Sequence, residues 1–153
     1  MNITTQTPTE FKKYIKQAPI FSGQHHTAIG KIQVLMTHKG IHHASFEAQQ
    51  TDKHYSDIDT LDTAKIILIG TPFQIKVWQA ALQIPAGTTK TYQDLAQTIG
   101  HPKAHRAVAT ALARNNIAYF IPCHRIIRKD GQLGGYKWGI EKKLSLLNAE
   151  KIL

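Results

Sequence analysis

Alternation of apolar and polar positions is the main structural signal in the first third of the chain. Ile32, Val34 and Met36 recur at every second position, which predicts a half-buried strand over residues 28–36. A second apolar run predicts a strand over residues 41–48, and the intervening residues 38–40 end in glycine, as a turn does. Residues 66–69 are continuously apolar and form either a third short strand or a link to the following segment.

A helical period replaces this alternation after residue 70. Thr71 is a good N-cap residue and Pro72 suits a first helical turn. The apolar residues that follow recur at helical spacing until residues 85–87 break the pattern. Three further helices are predicted, over residues 92–99, over 102–114 with Pro102 opening it, and over 140–150. Between the last two helices lie an apolar, extended run and a glycine-rich loop, residues 117–121 and 131–139.

These elements predict an α/β fold in two parts. The composition shifts near residue 60, from a stretch rich in His, Gln and Thr to one with regular helical signals. We expect a short, variable N-terminal lobe containing a sheet over residues 1–69, and a mostly helical domain with a helix-turn-helix over residues 70–153. No apolar run reaches the ~18 residues that suggest a membrane span, and no signal peptide is recognisable.

The helices over residues 92–99 and 102–114 are joined by a tight turn that contains Gly100, which is the pattern of a helix-turn-helix. The second helix has one apolar stripe, formed by Ala104, Val108, Ala111 and Leu112. The opposite side carries cations and small residues: Lys103, Arg106, Ala107, Thr110, Ala113 and Arg114. An ordinary amphipathic surface helix would share this division. However, residues 100–121 contain no acidic residue, which favours a surface that binds DNA.

The net charge agrees with a polyanionic partner. Nineteen Lys and Arg against ten Asp and Glu give a formal charge of +9. Such an excess favours phosphate contacts and counterion release, although many basic proteins bind no nucleic acid.

Cys123 is the one cysteine of the chain. Most isolated cysteines are buried and inert. Cys123, however, lies at the polar edge of an apolar run and is followed by His124 and Arg125. Cationic surroundings lower the pKa of a thiol, and a neighbouring imidazole can act as its base. The pattern therefore predicts a reactive thiolate, and a thiol that must stay reduced favours a cytoplasmic location.

Five segments in order resemble one known family. They are Tyr92-Gln93-Asp94-Leu95-Ala96, Pro102-Lys103-Ala104 with Arg106-Ala107-Val108, Asn115, Pro122-Cys123-His124-Arg125-Ile126-Ile127 and Gly135-Tyr136-Lys137-Trp138-Gly139. Together they resemble the methylated-DNA–protein-cysteine methyltransferases, also called O6-alkylguanine-DNA alkyltransferases. The resemblance covers about residues 70–150, and the first third is similar to the family's variable N-terminal lobe only loosely.

The resemblance implies a role for each matching residue around the thiol. Cys123 would accept the alkyl group, and His124 would deprotonate it through a water. Glu150 would orient His124, at the edge of an apolar stripe of the last helix formed by Ile140, Leu144 and Leu147. Asn115 would hydrogen-bond across the turn that joins the reading helix to the active-site segment.

The resemblance also implies how a guanine would be held. Tyr92 would donate to the leaving ring, and Arg106 would enter the base stack in place of the everted base. Tyr136, Gly134 and Gly135 would shape the base pocket. The backbone N–H of Lys137 would face the guanine oxygen, and the carbonyls of Cys123 and Ile126 the exocyclic amine. Contacts to the DNA backbone are expected at Gln93, His101, Lys103 and Lys129.

The implied function is DNA repair by stoichiometric transfer of an alkyl group from O6-alkylguanine in double-stranded DNA to Cys123, with O4-alkylthymine left open. We expect no cofactor, no metal, no membrane association and a monomer. The pairs His25-His26 and His42-His43 suggest a metal only weakly, because the family's structural zinc site uses cysteines and this lobe has none. A binding-only damage sensor and a thiol hydrolase remain as alternatives.

Overall fold

The computed structural model describes residues 1–47, 56–57 and 65–152. A six-stranded sheet occupies the first part of the chain, in the order β1-β6-β4-β3-β2-β5. The strand β4 is central and is parallel to β6, which is in turn parallel to β1. The strands and the one helix of this part are β1 (Asn2–Gln6), α1 (Pro8–Ile15), β2 (Phe21–Thr27), β3 (Gly30–Thr37), β4 (Gly40–Ser45), β5 (Ser56–Asp57) and β6 (Lys65–Ile69).

The predicted hairpin is confirmed as β3 and β4, which pair antiparallel. Ile32 and Val34 are fully buried, as their alternation predicted. Gly40 has φ +132°, and a Cβ there would lie 2.7 Å from the Lys65 backbone, so the turn requires glycine. The second strand ends at Ser45, while position 48 of its predicted range lies outside the described residues. Residues 66–69 form a strand, β6, rather than a link.

The second part is mostly helical. It contains α2 (Pro72–Leu82), β7 (Lys90–Thr91), α3 (Tyr92–Thr98), α4 (His105–Ala113), β8 (Ile126–Ile127) and α5 (Ile140–Ala149). Thr71 and Thr91 each form a capping box, with Gln74 and Asp94 respectively. These caps satisfy backbone N–H groups at the start of α2 and α3, and they explain why the sequence placed both starts correctly.

Two predicted elements differ from the structure. The helix α4 does not begin at Pro102. Residues 102–104 instead form a turn in which the Ala104 N–H donates to the His101 carbonyl, at 2.8 Å. The apolar run 117–121 is not an extended strand, because it makes one bridge, Ala44 to Ile117, and then turns through Tyr119 with φ +68°. The buried residues of this run pack as a turn against the core.

One core joins the two parts. Trp78 of α2 donates its indole N–H to the Ala111 carbonyl of α4, at 2.9 Å, which fixes the two helices against each other. The Ala44 N–H of β4 donates to the Asn116 carbonyl, and the Ala118 N–H donates back to the Ala44 carbonyl, both at 2.9 Å. The centre of the sheet therefore holds the turn that precedes Cys123. Among the described residues, no helix is both long and apolar enough to cross a membrane.

Candidate active site and nucleic-acid interface

Cys123 lines a cavity of about 330 Å³. Cys123 begins a single 3₁₀ turn that ends at Arg125, after Pro122. Cys123 is only 7% exposed, so a substrate would reach the thiol through this cavity. The other residues that line the cavity come from α3, α4 and the glycine-rich loop: Tyr92, Ala109, Leu112, Ala113, Gly135, Tyr136, Lys137 and Trp138.

Asn115 connects the end of α4 to the thiol. Its amide Nδ2 donates to the Cys123 Sγ at 3.2 Å and to the Ile117 carbonyl at 3.2 Å. Its Oδ1 accepts from the Ile117 N–H at 2.8 Å. The residue is 1% exposed, so these contacts are protected from water. The side chain therefore spans the turn, as the resemblance implied, and also contacts the sulfur directly.

A carboxylate–imidazole pair lies behind the thiol. His124 Nε2 is 2.9 Å from Glu150 Oε1, and His124 is fully buried. Within the described part of the chain, His124 Nδ1 has no hydrogen-bond partner. Glu150 Oε2 also accepts from the Gly87 N–H at 3.3 Å. Because Nε2 faces the carboxylate, Nδ1 is the nitrogen that remains free to take a proton.

Arg125 holds the carboxylate in place. Its Nε lies 3.0 Å and its Nη2 2.7 Å from the two oxygens of Glu150, which is a bidentate arrangement. Its Nη1 donates to the Ile84 carbonyl at 2.6 Å. The sequence predicted no role for Arg125 beyond its charge near the thiol. Its position immediately after the His of the motif was the available signal.

The electrostatics of the thiol differ from the sequence expectation. Burial raises the pKa of Cys123 to about 12, although the Asn115 amide and the charges of Lys143 and Lys137 lower it. The sequence predicted that cationic His124 and Arg125 would lower the pKa of this thiol. That expectation is wrong, because burial lowers the pKa of His124 and favours the neutral ring, while Arg125 is paired with Glu150. Burial opposes ionisation of Glu150, but hydrogen bonds from Arg125 and His124 outweigh it and lower the pKa to about 2.

Lys143 is a further residue close to the thiol that the sequence pattern did not indicate. It is fully buried, and its amine donates to the carbonyls of Ile126, Leu133 and Gly135. The predicted stripe of the last helix was therefore partly wrong: Ile140 and Leu144 are 46% and 41% exposed. The buried face of α5 is Lys143, Leu146 and Leu147. Helical spacing places Lys143 on the same face as Leu146 and Leu147, but a lysine in a sequence ordinarily indicates a position exposed to solvent.

Two tyrosines form the walls of the cavity. Tyr92 packs against Gly134, where φ is +68° and a Cβ would lie 2.8 Å from the Tyr92 hydroxyl oxygen. Tyr136 makes an edge contact with Trp138, at 5.2 Å between ring centres. Burial raises the pKa of both tyrosines, so both hydroxyls keep their protons at neutral pH. A tyrosine that retains its proton can donate a hydrogen bond to a ligand.

The two carbonyls expected to face the exocyclic amine, and the Lys137 amine, already have protein partners. The Cys123 carbonyl accepts from the Ile126 N–H, and the Ile126 carbonyl accepts from Lys143. A carbonyl has two lone pairs, so each retains capacity for one further donor. The Lys137 amine donates to the Asn115 carbonyl and to Asn116 Oδ1, at 2.8 and 2.6 Å.

The helix α4 presents the two faces that its sequence predicted. Val108, Ala111 and Leu112 are buried, whereas Ala104, predicted to share their stripe, is half-buried. All members of the opposite side are exposed: Lys103, Arg106, Ala107, Thr110, Ala113 and Arg114.

A second groove of about 560 Å³ lies beside the cavity and shares Tyr92 with it. Gln93 and Lys129 line this groove, together with His105, Arg128 and Asp130. Three residues expected to contact DNA line neither the cavity nor the groove: His101, Lys103 and Arg106. They lie on the exposed surface around α4, where the His101 ring packs against Phe73 at 5.8 Å.

The histidine pairs do not converge. In the part of the chain that the structure describes, no group of three or more His, Cys, Asp or Glu could hold a metal ion. His42 packs against Phe11, at 5.0 Å between ring centres, and His25 against Phe120, at 5.1 Å.

Comparison with known proteins gives matches to one group. The family model described as 6-O-methylguanine DNA methyltransferase, DNA binding domain, matches residues 72–152. The methylated-DNA–protein-cysteine methyltransferase of Kluyveromyces lactis is 56% identical over 86 residues, which are 56% of this chain and 46% of that protein. The Escherichia coli bifunctional transcriptional activator/DNA repair enzyme Ada is 53% identical over 92 residues, 60% of this chain. The chain spans 26% of the length of Ada.

The first lobe is also similar to solved structures. The crystal structure of Mycobacterium tuberculosis OGT in complex with DNA matches with a TM-score of 0.74 and 31% identity, over 86% of this chain and 92% of that one. Because this coverage exceeds residues 72–152, the similarity includes much of the N-terminal sheet.

Proposed function

We propose a function from the premise that the chain belongs to the 6-O-methylguanine DNA methyltransferase family, whose DNA-binding-domain model matches residues 72–152. The proposed activity is repair of double-stranded DNA by transfer of one alkyl group from the O6 atom of guanine to Cys123. The observation that carries it is the lone cysteine in the lining of a cavity of about 330 Å³, together with two tyrosines. The relative solved with DNA supports a DNA substrate.

The first proposed step is activation of the thiol. The Cys123 proton passes through a bridging water to His124 Nδ1, while Glu150 holds Nε2 at 2.9 Å and balances the imidazolium charge. A base is needed because burial keeps the pKa of Cys123 near 12. The Asn115 amide and the charges of Lys137 and Lys143 favour the thiolate once it forms.

The second step is an in-line displacement on an everted base. Arg106 takes the place of the guanine in the stack, and the base enters the cavity between Tyr136 and the loop at Gly134 and Gly135. A bond forms between Sγ and the alkyl carbon as the bond from that carbon to O6 breaks. The electron pair moves into the guanine ring, and the Tyr92 hydroxyl donates to that ring.

The product explains a single turnover. Cys123 becomes a thioether, which has no electrophilic carbonyl for water to attack, so each chain repairs one lesion. The backbone N–H of Lys137 would face the guanine O6 atom, and the carbonyls of Cys123 and Ile126 would accept from the exocyclic amine. Gln93, His101, Lys103 and Lys129 would bind the DNA backbone and hold the duplex against α4.

The organisation and location follow from the same proposal. We propose that residues 1–69 form an N-terminal lobe and residues 70–153 the alkyltransferase domain. We further propose that the chain works in the cytoplasm, where a free thiol stays reduced.

A labelled duplex tests the function. The full chain is incubated with DNA that carries one O6-[methyl-³H]guanine, and label on protein is counted beside a Cys123→Ala variant. We expect at most one label per chain and none on the variant. Binding without transfer would indicate a damage sensor, and turnover of an acyl ester a thiol hydrolase; either result would refute the proposal.

The activating base has its own test. His124→Ala should move the pH–rate profile of transfer to higher pH, because the thiol then ionises without its base. An unchanged profile would exclude His124 from this role.

A further inference from the structure

The side chain of Lys137 bridges two segments that form the cavity. Lys137 belongs to the glycine-rich loop, and its amine donates to the Asn115 carbonyl at 2.8 Å and to Asn116 Oδ1 at 2.6 Å. The same amine lies 5.5 Å from the centre of the Trp138 ring. The bridge therefore joins the outer wall of the cavity to the turn that carries Asn115.

This bridge is separate from the other cationic contacts of the site. Arg125 is paired with Glu150, and Lys143 donates to the Leu133 and Gly135 carbonyls of the glycine-rich loop. Among the described residues, Lys137 is the side chain whose amine reaches the asparagine turn. Two lysines thus hold the loop, one through the carbonyls of Leu133 and Gly135 and the other through the side chain of Lys137.

The atoms of Asn115 connect this bridge to the sulfur. Its backbone carbonyl accepts from Lys137, and its side-chain amide donates to Cys123 Sγ at 3.2 Å. A shift of the loop would move the asparagine backbone and, with it, the donor that faces the sulfur. Hydrogen bonds to a charged amine are stronger than neutral ones, although the exposure of Lys137 reduces the gain.

We propose that Lys137 is a positioning residue, whose side chain fastens the wall of the cavity to the asparagine turn and thereby sets the alignment of the Asn115 amide on the Cys123 sulfur. This inference rests on the proposed alkyl transfer and deepens it. It concerns the lysine side chain, whereas the resemblance assigned a role only to the backbone N–H of this residue.

The charged neighbours of Lys137 limit how its effect is measured. His43 on β4 and Arg114 at the end of α4 interact with its charge, and Cys123 faces it from the cavity. Burial lowers the pKa of Lys137, Arg114 lowers it further, and a Cys123 thiolate raises it. Loss of the amine should therefore affect both the alignment of Asn115 and the charge near the thiolate.

Three variants separate these effects. Lys137→Met keeps the aliphatic chain but removes the amine, and Lys137→Arg keeps a cationic donor. Asn116→Ala removes only the contact to the side-chain oxygen and leaves the lysine charge in place. Lys142→Met is the matched control, because Lys142 lies on α5 and does not line the cavity.

The measurements are the single-turnover rate at saturating O6-methylguanine duplex, its pH profile and the Kd for the duplex. For Lys137→Met we expect a rate about ten-fold lower, a pH profile moved to higher pH and a smaller change in Kd. Lys137→Arg should recover most of the rate, and Asn116→Ala should slow transfer without moving the pH profile. Lys142→Met should match the wild type.

Two results would overturn the inference. One is an unchanged saturated rate and pH profile in Lys137→Met, and the other is a loss confined to Kd, which would make Lys137 a DNA contact only. If Lys137→Met does not fold, an unaltered rate in Asn116→Ala overturns it instead. Failure of the proposed function is distinct, since the wild-type chain itself would then transfer no methyl group to Cys123.

Discussion

Replacement of Glu150 by glutamine tests the carboxylate–imidazole pair through the pH dependence of stability. In the folded chain, hydrogen bonds from Arg125 and His124 outweigh burial and lower the pKa of Glu150 from 4.5 to about 2. One pH unit of such a shift corresponds to about 1.4 kcal/mol, so a shift of this size contributes at most about 3.5 kcal/mol to the free energy of unfolding. The Glu150 side chain is only 14% exposed, so solvent screening removes little of this.

The sign of the effect is fixed by the direction of the shift. A depressed carboxyl pKa stabilises the fold above pH 4.5, and this contribution is lost as the pH falls towards 2. Glutamine does not titrate, so the free-energy difference between the wild type and Glu150→Gln should shrink by about 1.4 kcal/mol between pH 6.5 and pH 3.5. Urea unfolding followed by tryptophan fluorescence measures this difference.

Glu141→Gln is the matched control, because Glu141 lies exposed in the first turn of the same helix. Its difference from the wild type, measured over the same pH range, is the baseline for the Glu150→Gln difference. A constant difference for Glu150→Gln would refute the reasoning, because it would mean that the carboxylate gains nothing from its partners. Alkyl transfer by Glu150→Gln should also slow, since His124 loses the group that orients it.

Three further predictions concern the base pocket, the loop and the lobe. Arg106→Ala should slow transfer from duplex far more than transfer from a free alkylguanine base; equal losses in the two rates would remove its base-extruding role. Gly134→Ala should destabilise the fold by about 1–2 kcal/mol and slow transfer, because its Cβ would meet the Tyr92 hydroxyl. Gly131→Ala is the control, because Gly131 has φ +81° and open space around it, so this variant introduces backbone strain without a clash. Equal transfer rates in the two variants would contradict the clash. Burial and the neighbouring His43 lower the pKa of His42 to about 4. The wild type should therefore lose up to about 3 kcal/mol of its free energy of unfolding between pH 6.5 and 4, and His42→Phe should not lose this part. Identical losses for the two proteins in urea unfolding would contradict this prediction.

Local signals explain which elements could be predicted from the sequence. The starts of α2 and α3 depend on Thr71 and Thr91, whose caps act within one helical turn. No residue of β1, β2 or α1 is buried, so no apolar pattern marked these elements in the sequence. Those strands are held by pairing with β6 and β3, which is a long-range effect that a local pattern does not report.

The candidate site also has parts that the sequence predicted and parts that it did not. The motif around Cys123 identified the thiol, the imidazole and the distant Glu150, because the resemblance carried residue types at fixed spacing. The raised pKa of the thiol and the burial of Lys143 could not be predicted, since both depend on how segments far apart in the chain enclose one cavity. Lys143 is tolerated in the core because three backbone carbonyls, one from β8 and two from the glycine-rich loop, accept hydrogen bonds from its amine.

The two backbone hydrogen bonds between Ala44 and the asparagine turn bear on how this family can diversify. A hydrogen bond between main-chain atoms does not depend on which side chains the strand and the turn carry, as long as the strand forms. The N-terminal lobe can therefore exchange nearly all of its residues and still brace the reactive half. This fits a family-model match over residues 72–152 beside a structural match over 86% of the chain.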